Sequence, residues 1–278
     1  MSPNAPRIEP LHFGPGLFGC FHRGAAPART LGFVLCPPQG HESIQFHRAL
    51  RQLAVLLSDA GFPVLRFDPA GCGDSAGGDE SWRVARWEGD VRAALAELRT
   101  RAGVQRVGLV GMRLGGALAA RVAGASGESV ECLALWDPVH DGAAYLAELR
   151  AQHANMLAYA HVIPEADGAR HEVLGFPLPE ELASELQDLD LGALTGAPGR
   201  ALLVESHAAV DQGPLAARLT SLGVDLVRES QPTPELWEWT EDFGRVHVPH
   251  KTLTTIVRWA EQLDGAAAAD DEPELPAW

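Results

Sequence analysis

The stretch Arg106–Ala123, RVGLVGMRLGGALAARVA, constrains this chain more than any other. Its Val- and Leu-rich run stops at Gly111, passes Gly115 and Gly116, and continues as an Ala-rich helical pattern. That order predicts strand, sharp turn and helix. In the G-x-S-x-G form of such a turn the middle residue is held in a strained conformation. Its side chain is presented at a helix N-terminus, where backbone N–H groups can stabilise an oxyanion. Here the middle residue is Arg113. A guanidinium stays protonated and serves neither as nucleophile nor as base, so this turn keeps the pattern and lacks an attacking atom.

Around that stretch the chain alternates strand and helix. Leu11–Phe13 and Leu17–His22, separated by Gly14-Pro15-Gly16, predict an antiparallel hairpin at a sheet edge. Strands follow at Leu31–Cys36, Pro63–Asp68, Val130–Val139, Arg200–Ser206 and Val224–Glu229. Helices are expected at about 44–60, 82–101, 141–161, 180–189, 212–222 and 249–263. Such alternation predicts an α/β chain with a mostly parallel twisted sheet, right-handed crossovers and helices on both faces. Residues 141–199 interrupt the rhythm and read as a small helical cap. The expected organisation is a core of 1–140 and 200–263, a cap of 141–199 and a flexible acidic tail of 264–278.

A chain of 278 residues, 46% of them hydrophobic, can bury one large core. Its net charge of −15 argues against a nucleic-acid or anionic-membrane partner. Cys20, Cys36, Cys72 and Cys132 form no C-x-x-C pair and read as reduced thiols, and the N-terminus lacks the apolar core of a signal peptide. The expectation is a cytoplasmic protein without cofactor or metal. His247-x-x-His250 lacks a third ligand nearby.

In an open parallel sheet, ligands bind beyond the C-terminal ends of the strands. After Leu31–Cys36 lies Pro37-Pro38-Gln39-Gly40-His41-Glu42. Pro38 cannot donate, so Gln39 N–H is one expected oxyanion donor and Leu114 N–H the other; His41 and Met112 are expected to line the site. The plain alternative is a strand-to-helix turn with Glu42 near a helix start. Gly71-Cys72-Gly73-Asp74-Ser75 imitates a dinucleotide fingerprint, but its loop continues through Gly77-Gly78 instead of opening a helix, so a turn is expected. Arg113 admits three roles: a salt bridge to Asp137, Glu205 or Asp211 that plugs the pocket, an anion-binding fork, or polarisation of a carbonyl for a His-activated water. Anion binding is preferred, then the plug. For the acid of a triad Glu205 and Asp211 compete, and for its base His247 and His250; His250 is chosen because it opens the final helix. Ser43 and Ser75 as displaced nucleophiles rank last.

The run PPQGHESIQFHRALRQLAVLLSDAGFPVLRFDPAGCGDSAGG, with GMRLGGALAA and LALWDPVHDGAAYLAELR, resembles the α/β-hydrolase superfamily in its serine-aminopeptidase-like branch. Within it, the chain is most similar to the second type of exosortase-A-associated hydrolases, which tend to carry Arg in place of the elbow serine. The resemblance implies the α/β-hydrolase fold and a biosynthetic setting. The expected protein has Arg113, Gln39, Leu114, His41 and Met112 in its binding site, with His250, Asp211 and Glu205 as candidate catalytic groups. It binds, and transforms without an acyl-enzyme, a small acyl, ester or amide compound bearing an anionic group. The competing expectation is an inactive pseudo-hydrolase, a homodimer or a partner in a biosynthetic complex.

Overall fold

The computed structural model describes residues 7–161, 172–207, 210–233 and 248–263. The tail from 264 onward, His247, Trp237 and Trp239 lie outside them. An eight-stranded sheet runs in the order β1-β2-β4-β3-β5-β6-β9-β10. Its strands are β1 (Ile8–Phe13), β2 (Leu17–His22), β3 (Leu31–Cys36), β4 (Val64–Asp68), β5 (Arg106–Met112), β6 (Cys132–Trp136), β9 (Arg200–Glu205) and β10 (Asp225–Ser230). β1 and β2 form the expected antiparallel hairpin at one edge, and β2 meets β4 antiparallel; every other pairing is parallel.

The pleat sends alternate side chains of the central strands into two cores. Leu109 of β5 packs toward α2 (Val84–Ala102) and α3 (Leu114–Gly124), whereas Val110 and Met112 pack toward α1 (His41–Asp59) and α7 (His250–Leu263). Burial on both faces explains why these strands read as continuous apolar runs. The helix expected from Ile44 begins at His41, because Gly40 takes a φ of 60° and turns the chain directly out of the strand-end loop.

Between β6 and β9 the cap elements leave the sheet. α4 (Gly142–Tyr159), the short hairpin β7 (Glu172–Val173) and β8 (Phe176–Pro177), and α5 (Glu180–Gln187) share one core with α2 and α3 through Tyr145, Leu146, Leu149, Leu182 and Leu186. Asp141 caps α4 by accepting from Ala144 N at 2.8 Å, which satisfies one of the helix's orphan donors. This hairpin carries too few strand residues to show in a periodicity. Among the described residues, no helix is long and apolar enough to cross a membrane.

The start of α4 is pressed onto the end of α5, where a Cβ on Gly142 would stand 2.0 Å from Leu186 O. Gly142→Ala is therefore expected to lower stability by about 1–3 kcal/mol, read as a lower urea midpoint with an unchanged slope.

Candidate functional site

The site is built on the turn between β5 and α3. Arg113 sits there at φ 49° and ψ −122°, a backbone conformation that costs a non-glycine residue of order 1–3 kcal/mol. Its N–H donates to Trp136 O at 3.1 Å, and its carbonyl accepts from Val139 N at 3.1 Å, so β6 and the segment after it hold the turn from one side. Glycine holds it from the other: a Cβ on Gly115 would stand 2.2 Å from Pro37 O, and one on Gly111 2.5 Å from Gly116 Cα. The glycines first noted in the sequence thus serve close approach. They let α3 begin directly against the β3–α1 loop.

The Arg113 side chain is 1% exposed and folds between two carboxylates. Nε donates to Glu42 Oε1 at 2.7 Å and Nη2 to Glu148 Oε1 at 2.7 Å, while the guanidinium carbon lies 5.2 Å from the centre of the Tyr145 ring. Tyr145 donates its hydroxyl to Glu42 Oε2 at 3.0 Å, so both oxygens of Glu42 are used. Gln152 Nε2 donates to Glu148 Oε1 at 3.3 Å, and His207 Nε2 stands 3.6 Å from that oxygen. Burial pushes the Glu42 carboxyl up, against the opposing pull of Arg113 and the Tyr145 hydroxyl. Burial also acts upward on Glu148, but His207 and Arg113 outweigh it and hold that carboxyl low. The two acids hold the guanidinium firmly protonated despite its burial.

Beside this cluster, beneath the cap, opens a narrow apolar cleft with a cavity volume of about 40 Å3. Gln39, His41 and Leu114 line it, along with Trp82, Trp87, Tyr145 and Leu149 of α4, Phe176 of the hairpin, and Leu182 and Leu186 of α5 among others. The indoles are fixed: Trp82 Nε1 donates to Gly71 O at 3.0 Å and Trp87 Nε1 to Ala70 O at 3.1 Å. Trp82 stacks on Phe176 with centroids 6.2 Å apart. Gln39 is held by its own donation to Pro37 O at 3.1 Å and by the Cys72 thiol at 3.5 Å. Burial lowers the pKa of His41.

Thus Gln39, His41 and Leu114 come together at the cleft, with Arg113 beside them. Met112 does not join them: it is fully buried in the α1–α7 core, because the pleat turns it to the opposite face. Glu205 pairs with Arg228 across β9 and β10 at 2.9 and 3.0 Å, and Asp211 accepts from Gly213 N at 2.8 Å ahead of α6 (Gly213–Ser221). His250 meets Gln52 Nε2 through Nδ1 at 3.3 Å. Gln52 lies ten residues beyond Glu42 along α1, about 15 Å at the helical rise, so Glu205, Asp211 and His250 are not assembled around Arg113. Asp137, one of the carboxylates expected to hold Arg113, instead accepts from Ser206 N at 2.8 Å, His207 N at 3.1 Å and Ser206 Oγ. Arg113 is engaged by carboxylates of the protein itself. The fork is closed, and the carboxylates that close it are Glu42 and Glu148. Ser75 Oγ accepts from Phe18 N at 2.8 Å and donates to Asp68 O, and Ser43 Oγ donates to Gly40 O at 2.7 Å; both are turn-forming hydroxyls. The loop after β4 closes through Cys72 N to Pro69 O and Ser75 N to Cys72 O, without a helix N-terminus for a pyrophosphate.

Glu148, Tyr145, Gln152 and His207 were missed as site residues. The available signal was the spacing of Tyr145, Glu148 and Gln152, three and four residues apart on one face of a helix.

A mostly parallel sheet with a strained strand–turn–helix at its centre and a cap over the strand ends defines the class as α/β hydrolase in fold. The chain belongs to the alpha/beta hydrolase fold family, whose model matches residues 33–180. No curated protein matches it in sequence. Among solved structures it is similar to ferulic acid-bound Est1E from Butyrivibrio proteoclasticus, with a TM-score of 0.64, 14% identity, and 92% of this chain and 100% of that one covered. XC6422 from Xanthomonas campestris, an a/b serine hydrolase without lid, gives 0.56 at 16% identity, covering 94% and 95%. Alpha/beta hydrolase domain-containing protein 10 from mouse gives 0.54 at 19%, covering 92% and 99%. At these identities the likeness is one of fold.

Removing the cation should cost more than removing either acid, because the buried Glu42 and the partly exposed Glu148 would both be left without their countercharge. Arg113→Met is expected to lower stability by about 3–5 kcal/mol and Glu42→Gln by less, both read by urea unfolding. Glu148, held below its ordinary value of 4.5, stabilises the native state above that pH and loses the contribution as pH falls through its lowered value. The stability gap between wild type and Glu148→Gln should therefore be widest near about pH 7 and shrink below about pH 4.

Proposed function

We propose that this protein is a pseudo-hydrolase that binds a small acyl, ester or amide compound in the cap cleft without forming an acyl-enzyme. One observation carries the reading: the position that would hold the nucleophile is filled by Arg113, buried beneath Glu42, Glu148 and Tyr145. A guanidinium cannot attack a carbonyl, and this one is fixed by its two carboxylates. What remains beside it is an apolar cleft walled by hydrogen-bonded indoles, suited to an alkyl or aryl group, with Gln39 and His41 in its lining as the polar groups that orient a ligand. The biosynthetic setting follows the resemblance to the exosortase-A-associated hydrolases.

The closed cluster equally suits a catalytically silent partner in a biosynthetic complex, and ligand binding separates the two readings. A fluorophosphonate probe should leave the chain unlabelled. An octanoyl amide should bind, measured by calorimetry, and Leu182→Trp, which fills the cleft, should weaken it by about tenfold or more. Covalent labelling of any serine overturns the proposal; absence of octanoyl amide binding leaves the silent partner.

A further inference from the structure

The Glu148 position is itself organised as an anion site. One carboxylate oxygen is approached by Arg113 Nη2 at 2.7 Å, Gln152 Nε2 at 3.3 Å and His207 Nε2 at 3.6 Å. These groups come from three parts of the fold: the β5–α3 turn, α4 and the loop after β9. Their convergence on a single oxygen is the arrangement that recognises a carboxylate. The two acids that share Arg113 are held differently. Glu42 has a side chain 3% exposed and spends both oxygens on Arg113 and Tyr145, whereas the Glu148 side chain is 24% exposed and sits on a cap helix. Glu42 is therefore the fixed counterion of Arg113, and Glu148 occupies its solvent side. Tyr145 and Leu149, on the same helix as Glu148, line the apolar cleft, so the anion position and the cleft are neighbours along one element.

We infer that Glu148 holds the place of a ligand carboxylate, and that the compound bound in the cleft is an acyl chain ending in a carboxylate that displaces Glu148 from Arg113 and His207. This rests on the proposed use of the cleft and adds the chemistry of the ligand's head group. The fork of Arg113 keeps a carboxylate partner through such an exchange, the ligand's replacing that of Glu148 at Nη2. Glu148 gains water as it swings out, and the chain gains burial against Trp82 and Phe176.

Calorimetric titration of the full chain with octanoate and with 1-octanol, in wild type, Glu148→Ala, Glu148→Gln and His207→Gln, tests the inference. Glu148→Ala is expected to bind octanoate about tenfold tighter than wild type, with 1-octanol unchanged, since only a carboxylate benefits from the vacated donors. Glu148→Gln, which keeps the shape and an acceptor for Arg113, should fall between the two and serves if the alanine variant does not fold. His207→Gln should weaken octanoate and leave 1-octanol as it was. Equal tightening of both ligands in Glu148→Ala would mean that Glu148 only fills space, and would overturn the inference. So would an octanoate-to-octanol ratio that no variant moves; in that case the cleft reading survives and the head group falls. Failure of both ligands to bind any variant removes the cleft reading as well.

Discussion

The ion pair between Arg113 and Glu42 is the interaction on which the upper half of this molecule depends. Glu42 without Arg113 would be a buried charge lacking its cation, which a folded protein tolerates only by neutralising or pairing it. Together they join the turn after β5 to the first turn of α1, and the Tyr145 hydroxyl adds α4 to the same acid. One guanidinium thus ties two core elements to the cap. Such a pair is a weak source of net stability, because desolvation offsets most of the attraction.

Much of the fold was legible because its signals are local. Runs such as Leu31–Cys36 and Val107–Met112 are buried on both faces and so read as unbroken apolar strands, and the glycines of GMRLGG mark a turn that no larger residues fit. Arg113 was legible for the same reason, since its place in the turn follows from its immediate neighbours. Its partners were not. Glu42 reads as an acid at a helix start, which it is, and nothing nearby says that it points beneath a cap. Glu148 and Tyr145 lie on a helix with a readable apolar stripe, but where that helix lands depends on contacts such as Gly142 against Leu186, between residues far apart in sequence.

The triad residues show the same limit from the other side. Chain order suggested an acid after β9 and a histidine before the last helix, and residues of those types are present. Order does not say which way a side chain leaves the backbone. Glu205 faces Arg228 on the neighbouring strand, while His207, two positions on, reaches the cluster. Asp137 accepts from the amides of Ser206 and His207, which braces the ends of β6 and β9.

The shared burial of Arg113, Glu42 and Tyr145 also bears on how this chain could change over generations. A single replacement that placed serine at position 113 would leave Glu42 nearly inaccessible to water and without its cation, a loss large enough to endanger folding before any chemistry could be selected. Changing Glu42 first leaves the arginine with Glu148 as its one remaining acidic partner in this cluster. The residues depend on one another non-additively, so neither order of steps is neutral. Arginine at this turn is therefore entrenched: departures from it must pass through a less stable intermediate or alter several buried positions together.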